Sequence, residues 1–199
     1  MRFVFHTFTH EVYYGAGILT GGEGGADRTA LALLALVLAG GRSSRLQQRI
    51  VEDEGLTSEV LSGGVDLSNL GVFAAGGAVP PAKSARFRDV LRVELARLAA
   101  EPVSEDELRT AKSLLTADLV RAFESNDGIA AFRSERLLYG RDVSRDAWLD
   151  EAMQLTAGDL QAVARARFAP ERLREVEIRP ARGFGKVLAA IRYLVFRRL

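Results

Sequence analysis

The spacing of apolar positions changes along the chain, and each spacing predicts a different element. Residues 4–8 and 12–19 are rich in β-branched and aromatic side chains and flank a short polar break, which predicts a pair of strands. Residues 31–39 are apolar nearly all round, which predicts a buried helix that Asp27 can cap. The chain therefore begins with two strands and a core helix.

A second group of strands is predicted before the middle of the chain. Residues 57–61 and 69–79 have strand composition, and the Gly63-Gly64 pair between them is typical of a corner. The Pro80-Pro81 pair ends the later strand and begins a helix, because proline is favoured in the first helical turn.

The second half of the chain carries apolar residues at helical spacing, and residues 175–178 then alternate as a closing strand. Strands, then helices, then a last strand predict an α+β architecture in which an antiparallel sheet is packed by helices. The helix boundaries are indicated by a capping box at Ser104 and Glu107, a cap at Asn126 or Asp127, a stop at Gly140 and a second capping pattern at Thr156 and Asp159.

The loop Gly40-Gly41-Arg42-Ser43-Ser44-Arg45-Leu46 joins the core helix to a second helix that stops at Gly55. We expect Gly40 to adopt a backbone conformation reserved for glycine, and Ser43 or Ser44 to cap the second helix. A helix start can also bind phosphate, but no Gly-Lys-Ser/Thr triplet follows these glycines. The loop is predicted to be a structural joint.

This loop, followed by Gly55-Leu56 and Gly71-x-Phe73, resembles the C-terminal domain of the M16 zinc metallopeptidases, the pitrilysin and mitochondrial-processing-peptidase group. The resemblance implies a LuxS/MPP-like metallohydrolase domain over residues 1–180, with residues 181–199 as a basic amphipathic tail outside it. Further segments that match the family in order are residues 101–108, 111–112, 124–125 and 155–160.

The resemblance implies the non-catalytic half of a peptidase, which pairs with a zinc-bearing domain or subunit to enclose peptide, or self-associates without it. No cofactor is then expected in this chain, and zinc is expected in the partner. Active relatives hold substrate with an arginine and a tyrosine, and the matching positions here are Val51 and Ser58. Arg45 is the remaining candidate for contact with substrate or partner, and a loop-to-helix structural contact is its alternative. A scaffold protein without peptide handling is the alternative function.

His6 and His10 are the only histidines, and Glu11 follows them, so an enzyme hypothesis would place a metal there. The string is not the His-x-x-Glu-His motif of the M16 catalytic domain, and it lies in a segment that favours a strand. The chain contains no Gly-x-Ser-x-Gly sequence, the motif that would indicate a serine nucleophile. We therefore expect no catalysis by this chain alone, and His6 and His10 are only weak metal candidates.

Composition narrows the remaining function classes. Of 199 residues, 48% are hydrophobic and 27% are charged, which is globular, and the absence of cysteine excludes disulfides and thiolate metal sites. Residues 181–199 contain five basic residues and no acidic residue. Residues 1–180 therefore carry a net charge of −4, which disfavours nucleic-acid binding. No signal peptide or membrane span is visible, so a soluble body in an unknown compartment is expected. Residues 186–199 can contact a membrane surface, a partner or their own domain.

Overall fold

The computed structural model of the protein describes residues 1–21, 27–66 and 70–181. These residues form one sheet and a layer of helices, separated by short loops. In chain order the elements are β1 (Arg2–Thr7), β2 (Val12–Thr20), α1 (Arg28–Ala39), a π-helix (Gln47–Asp53), β3 (Leu61–Asp66), β4 (Gly71–Val79), a 3₁₀ turn (Pro81–Lys83), α2 (Ser84–Ala100), α3 (Glu105–Ala122), α4 (Asn126–Leu138), α5 (Arg145–Gln154), α6 (Ala157–Arg167) and β5 (Arg174–Pro180).

The five strands lie in the order β1-β5-β2-β4-β3, and the predicted α+β architecture with helices packed on a sheet is confirmed. Three of the four strand pairings are antiparallel, whereas β1 runs parallel to β5. The two strands predicted at the start of the chain are both present, but they are not neighbours in the sheet, because β5 lies between them. Apolar alternation identifies strands, but it contains no information about which distant segment will be the neighbour.

The third strand begins later than the sequence indicates. Residues 57–60 run beside β4, where the Thr57 hydroxyl donates to the Ala78 carbonyl at 2.6 Å and Val60 is buried in the core. The predicted corner at Gly63 and Gly64 lies within β3, where the two glycines pair with Ala74 and Phe73. On this edge strand the glycines cost little, because no neighbouring strand lies beyond it to be packed against.

The helices cover one face of the sheet and enclose the core. From β2 and β4 the residues Val12, Tyr14, Ile18, Phe73 and Val79 are buried beneath α1, α2 and α6. The apolar run of α1 is buried as predicted, because it contacts both the sheet and α3. Burial of this many large side chains is the main stabilisation of such a domain.

The capping boxes at Ser104 with Glu107 and at Thr156 with Asp159 form as predicted. Two other caps differ from prediction. The Asp27 carboxylate accepts from Arg167 at 2.7 Å and makes no cap hydrogen bond.

The fourth helix is capped by Ser125, one residue before the predicted Asn126 or Asp127, since its hydroxyl accepts from the Gly128 N–H at 3.0 Å. An additional helix, α5, follows and was not predicted. Its capping residue, Ser144, was a readable start signal, because its hydroxyl accepts the Ala147 N–H. Among the helices of the described residues, none is both long enough and apolar enough to cross a bilayer.

Candidate functional site

The first candidate region is the loop after α1, in which the two glycines are required for different structural reasons. Gly40 has φ −78°, an ordinary value, so the predicted glycine-only conformation at this residue is wrong. Its restriction is steric, because a Cβ at Gly40 would lie 2.6 Å from both Cα and the carbonyl oxygen of Leu36. The unusual backbone angle belongs to Gly41, with φ +155°.

The serine of the loop closes the turn instead of capping the helix. The Ser44 hydroxyl donates to the Gly41 carbonyl at 2.6 Å, while the Ser44 carbonyl accepts from the Gln48 N–H at 2.9 Å. The side chain of Leu46 is fully buried and anchors the loop in the core. The helix stops as predicted at Gly55, whose φ of +55° suits glycine.

Arg45 lies between the loop and the start of α3. Its Nε and Nη2 donate to the two carboxylate oxygens of Glu107 at 2.6 and 2.9 Å, and its side chain is only 10% exposed. Glu107 also accepts from the Ser104 N–H at 2.8 Å, so one carboxylate serves both the capping box and the arginine. Arg45 thus makes the loop-to-helix contact that was the alternative to substrate binding.

The ionisation of Glu107 follows from these contacts. Burial raises the pKa of Glu107, but the Arg45 guanidinium and the Ser104 N–H outweigh it and hold the pKa below its ordinary value. The carboxylate is therefore charged at neutral pH and is committed to Arg45. A small cavity of about 180 Å³ lies beside this pair, between α1, the loop and α3, and is lined largely by apolar groups such as Leu36 and Leu114.

The two positions that match the substrate-holding arginine and tyrosine of active relatives lie on either side of the helix stop. Val51 is half-buried against the core, and Ser58 is exposed. A valine offers no hydrogen bond to a peptide carbonyl, and a serine reaches less far than a tyrosine. This region is therefore built as a joint, with a reduced set of polar groups for holding a peptide.

The two histidines and Glu11 lie at the C-terminal end of β1 and in the turn that follows it. His6 is an exposed residue of the strand, and His10 lies in the following turn with its ring 6.2 Å from that of Phe8. Among residues 1–21, 27–66 and 70–181, no group of three or more histidine, cysteine, aspartate or glutamate side chains is placed to hold a metal ion.

The second candidate region is the sheet face that carries no described helix, here called the open face. Residues opposite each other in adjacent strands share a face, so Leu19 lies beside Val72, and Val72 beside Val65. These side chains are 58%, 42% and 70% exposed. The large apolar residues exposed on this face are Phe3, Phe5, Tyr13, Leu19, Leu61, Val65, Val72 and Val176.

An exposed apolar face is expected of an isolated half of a peptidase, but the sequence analysis did not locate it on the sheet, although the sequence contains a signal for it. Strand β2 is apolar at both its odd and its even positions, and such a strand is typical of a sheet that is covered on both faces. Scattered exposed apolar residues are ordinary, but a contiguous patch marks an interaction site. This face is therefore the stronger candidate for a functional surface.

The covered face contains charged residues where β5 meets α2. Glu175 accepts from Nε and Nη2 of Arg92 at 2.6 and 2.7 Å, and Glu177 accepts from Arg179 at 2.6 Å and from Arg2. The bonds from Arg92 lower the pKa of Glu175 more than its burial raises it. Burial raises the pKa of Glu177, but Arg179 and Arg2 outweigh it and lower the pKa. Both carboxylates are paired ions: Glu175 connects β5 to α2, and Glu177 connects β5 to the neighbouring strand β1.

A five-stranded sheet with helices on one face and a serine-arginine-leucine loop after the core helix defines the class: a metallopeptidase-like α+β domain without a described metal centre. The chain belongs to the M16 peptidase family, since the sequence model of the "Peptidase M16 inactive domain" matches residues 10–115. That match contains the loop, the π-helix and strands β2 to β4.

Curated relatives support this membership. An uncharacterized zinc protease of Mycobacterium tuberculosis strain H37Rv is 34% identical over 162 residues, which is 78% of this chain and 36% of the relative. The zinc protease PqqE of Helicobacter pylori is 25% identical over 155 residues, 77% of this chain and 35% of that protein. The chain thus spans about a third of the length of these relatives.

Solved structures share the fold. The peptidase M16 inactive domain from Pseudomonas fluorescens superimposes with a TM-score of 0.81 at 19% identity, covering 92% of this chain and 44% of that one. A protease from Helicobacter pylori gives a TM-score of 0.79 at 23% identity, covering 90% of this chain and 44% of its own.

Proposed function

We propose that this chain is the non-catalytic half of an M16-type zinc metallopeptidase, and that it pairs with a zinc-bearing domain or subunit to enclose peptide substrate. The observation that carries the proposal is the open face, a broad apolar surface on a domain that spans about a third of its curated relatives. A face of this composition loses its contact with water when a partner covers it.

The open face has the character of a lasting interface. Stable interfaces bury about 1,200–2,000 Å² in total, with an apolar centre and a polar rim. Eight large apolar side chains distributed over all five strands supply such a centre. In the complex the zinc and its catalytic base belong to the partner, and this chain contributes a wall of the enclosure. Contact of Arg45 with substrate or partner is part of this proposal.

A scaffold role without peptide handling is the second candidate. The identities of Val51 and Ser58 favour it, because both replace groups that hold peptide in the active relatives that the chain resembles. The two candidates share the interface and differ in whether the assembled complex cleaves peptide.

The test is reconstitution with an M16 chain from the same genome that carries His-x-x-Glu-His. We expect a heterodimer in size-exclusion chromatography with light scattering, and peptide cleavage that requires both chains and zinc. The double variant Leu19→Ser and Val72→Ser on the open face should weaken pairing at least tenfold. Val93→Ser, at a 56% exposed position of α2 on the helical side, is the matched control and should pair normally.

The outcomes separate the candidates. A complex that forms but cleaves nothing would favour the scaffold role. If the open-face double variant pairs as tightly as the wild type, the assignment of the interface to the open face is overturned. Cleavage by this chain alone, with about one zinc per chain that is lost in a His6→Ala and His10→Ala variant, would overturn the non-catalytic function itself.

A further inference from the structure

Strand β1 lies at one edge of the sheet, and its side chains are exposed on both faces. Among the described residues its only strand neighbour is β5, and all six of its residues are exposed. Phe3 and Phe5, on the open face, are 39% and 55% exposed. Val4, on the helical side, is 44% exposed, because the described helices pack mainly against β2, β3 and β4. The strand therefore offers apolar side chains on both of its faces.

The backbone of β1 also has unused hydrogen-bonding groups along its outer side. The Met1 carbonyl accepts from the Glu175 N–H, and the Thr7 carbonyl accepts from the Ala181 N–H, both at 2.9 Å. The odd-numbered residues of the strand therefore direct their backbone groups toward β5. Because this direction alternates along a strand, the even-numbered residues direct their N–H and C=O groups away from β5, where no described strand lies. These outward-facing residues are Arg2, Val4 and His6.

The outer side of β1 lacks the features that usually prevent edge strands from pairing with other chains. Such features are proline, lysine, a bulge or a covering segment. The strand contains no proline, glycine, lysine or acidic residue. Its one arginine, Arg2, is already paired with the buried carboxylate of Glu177 in the neighbouring strand. This edge can therefore accept a further strand without separating an ion from its partner.

The strand is complementary to a second copy of itself. When two copies run antiparallel with Val4 opposite Val4, Arg2 of each copy lies opposite His6 of the other. Each outward-facing N–H then meets an outward-facing C=O, because all three residues fall at the hydrogen-bonded positions of the ladder. Centring the pair on Phe3 or Phe5 instead would move one outward-facing residue beyond the end of the opposite strand. The register centred on Val4 is therefore the one that uses the whole edge.

The same register brings apolar side chains together on both faces. Phe3 of each copy lies opposite Phe5 of the other at the non-hydrogen-bonded positions, where Cα atoms are about 4.5 Å apart. Aromatic pairs directly opposite each other stabilise antiparallel strands. On the helical side Val4 lies opposite its own copy. The two-fold axis is perpendicular to the sheet, so the open faces of both copies lie on the same side.

We propose that two copies of this chain associate through β1, in the antiparallel register centred on Val4, to form one continuous sheet. The contact is one strand wide, so we expect a weak dimer with a dissociation constant on the order of micromolar. The inference goes beyond the proposed function, because it uses the strand edge and not the open face. Each copy keeps its open face for a zinc-bearing partner, and the full assembly then contains two copies of each chain.

Sedimentation velocity over a hundredfold range of protein concentration tests the dimer. Val4→Lys places a charge at the centre of the contact, and should weaken dimerisation at least tenfold. Val65→Lys, at a 70% exposed valine of the opposite edge strand β3, is the matched control and should dimerise like the wild type. Val4→Pro removes an outward N–H that β5 does not use, so it should also prevent pairing while the monomer stays folded. Urea unfolding checks that all three variants fold.

The contrary outcomes are distinct. A wild-type chain that stays monomeric at all concentrations would overturn the proposal, as would a Val4→Lys variant that dimerises normally. If dimerisation is lost in the double variant Leu19→Ser and Val72→Ser but kept in Val4→Lys, the open face is the self-association surface and the edge is not. None of these measurements uses the zinc-bearing partner, so they succeed or fail independently of the proposed function.

Disulfide trapping tests the register, because the chain has no cysteine of its own. Phe3→Cys and Phe5→Cys are prepared as separate chains and then mixed. In the proposed register the two introduced thiols lie on Cα atoms about 4.5 Å apart, which suits a disulfide, whereas like residues are about 8 Å apart. We expect the mixture to form disulfide-linked dimers at least ten times faster than either variant alone. Equal rates in the mixture and in the single variants would overturn the register.

Discussion

The same strands form both faces of the sheet, but the side chains of one face are buried and many of those on the other face are exposed. On the covered face Phe73 is 1% exposed and its ring lies 5.2 Å from that of Phe168 in an edge contact. On the open face its neighbour Val72 is 42% exposed. Because side chains alternate along a strand, two adjacent apolar residues belong to different environments. The comparison teaches that apolar side chains fill the core on one face, whereas on the other face they stay exposed and are available for the proposed association.

Charge is also distributed unequally between the faces. The covered face carries buried carboxylates that are paired with arginines, such as Glu175 with Arg92. The open face has glycine and alanine in the middle of β2 and β4, as at Gly15 and Gly76. The covered face is therefore packed by helices within the described residues, whereas the open face leaves large apolar side chains exposed.

The largest difference in unfolding free energy should come from two matched truncations, one of a side chain on the covered face and one of its neighbour in sequence on the open face. Phe73→Ala removes a fully buried ring and should cost about 3–5 kcal/mol of unfolding free energy. Val72→Ala should change the isolated chain by less than about 1 kcal/mol, because its side chain is already in water. Urea unfolding of both variants measures the difference. Similar losses would show that the Val72 side chain is also covered in the isolated chain.

An intermediate effect is expected from two glycines in matched substitutions. Gly40→Ala places a Cβ against the backbone of Leu36 and should cost about 1–3 kcal/mol. At Gly63, on the open face, a Cβ would have no described atom within 4 Å, so Gly63→Ala should be neutral or stabilise by about 0.5 kcal/mol. Thermal melts of the two variants decide this. An unchanged melting temperature for Gly40→Ala would show that the loop relaxes freely.

The smallest effect concerns the charges of the covered face and depends on pH. Glu175→Gln should cost about 1 kcal/mol at pH 7, a modest value because Arg92 is 44% exposed. The folded-state pKa of Glu175 is lowered, so its stabilisation is present above the unfolded pKa of about 4.3 and is lost as the pH falls through the folded value.

The stabilities of the variant and the wild type should therefore approach each other as the pH falls below the unfolded pKa of about 4.3 toward the lower folded-state pKa. Denaturant unfolding across pH 3 to 7 measures this convergence, with Asp106→Asn as a control at an 81% exposed carboxylate. A constant difference between Glu175→Gln and the wild type at all pH values would mean that the carboxylate acts through packing and not through its charge.

Much of the fold could be predicted because its signals are local. The capping boxes at Ser104 and Thr156, the helix stop at Gly55 and the buried run of α1 depend on residues within one or two turns of each other. Other expectations failed where a distant partner decided the outcome. Asp27 binds Arg167 instead of capping its helix, and this choice depends on a residue 140 positions away.

The candidate site also combines features that local sequence predicts with features that depend on distant residues. The loop from Gly40 to Leu46 could be located by its residues and is a joint between helices, but that the guanidinium of Arg45 is held by Glu107 depends on how α3 packs. The location of the open face could not be predicted, because apolar alternation does not say which face the helices will cover.

The sequence by itself determined the α+β class, the helix boundaries with local caps, the glycine joint and the family, because these reside in short-range patterns and ordered motifs. The tertiary structure alone decided that β5 inserts between β1 and β2, that Gly40 is restricted by Leu36, and that one sheet face carries no described helix. The physical reason is that strand pairing and layer packing are settled by the total burial of distant segments against one another. No local pattern contains that sum.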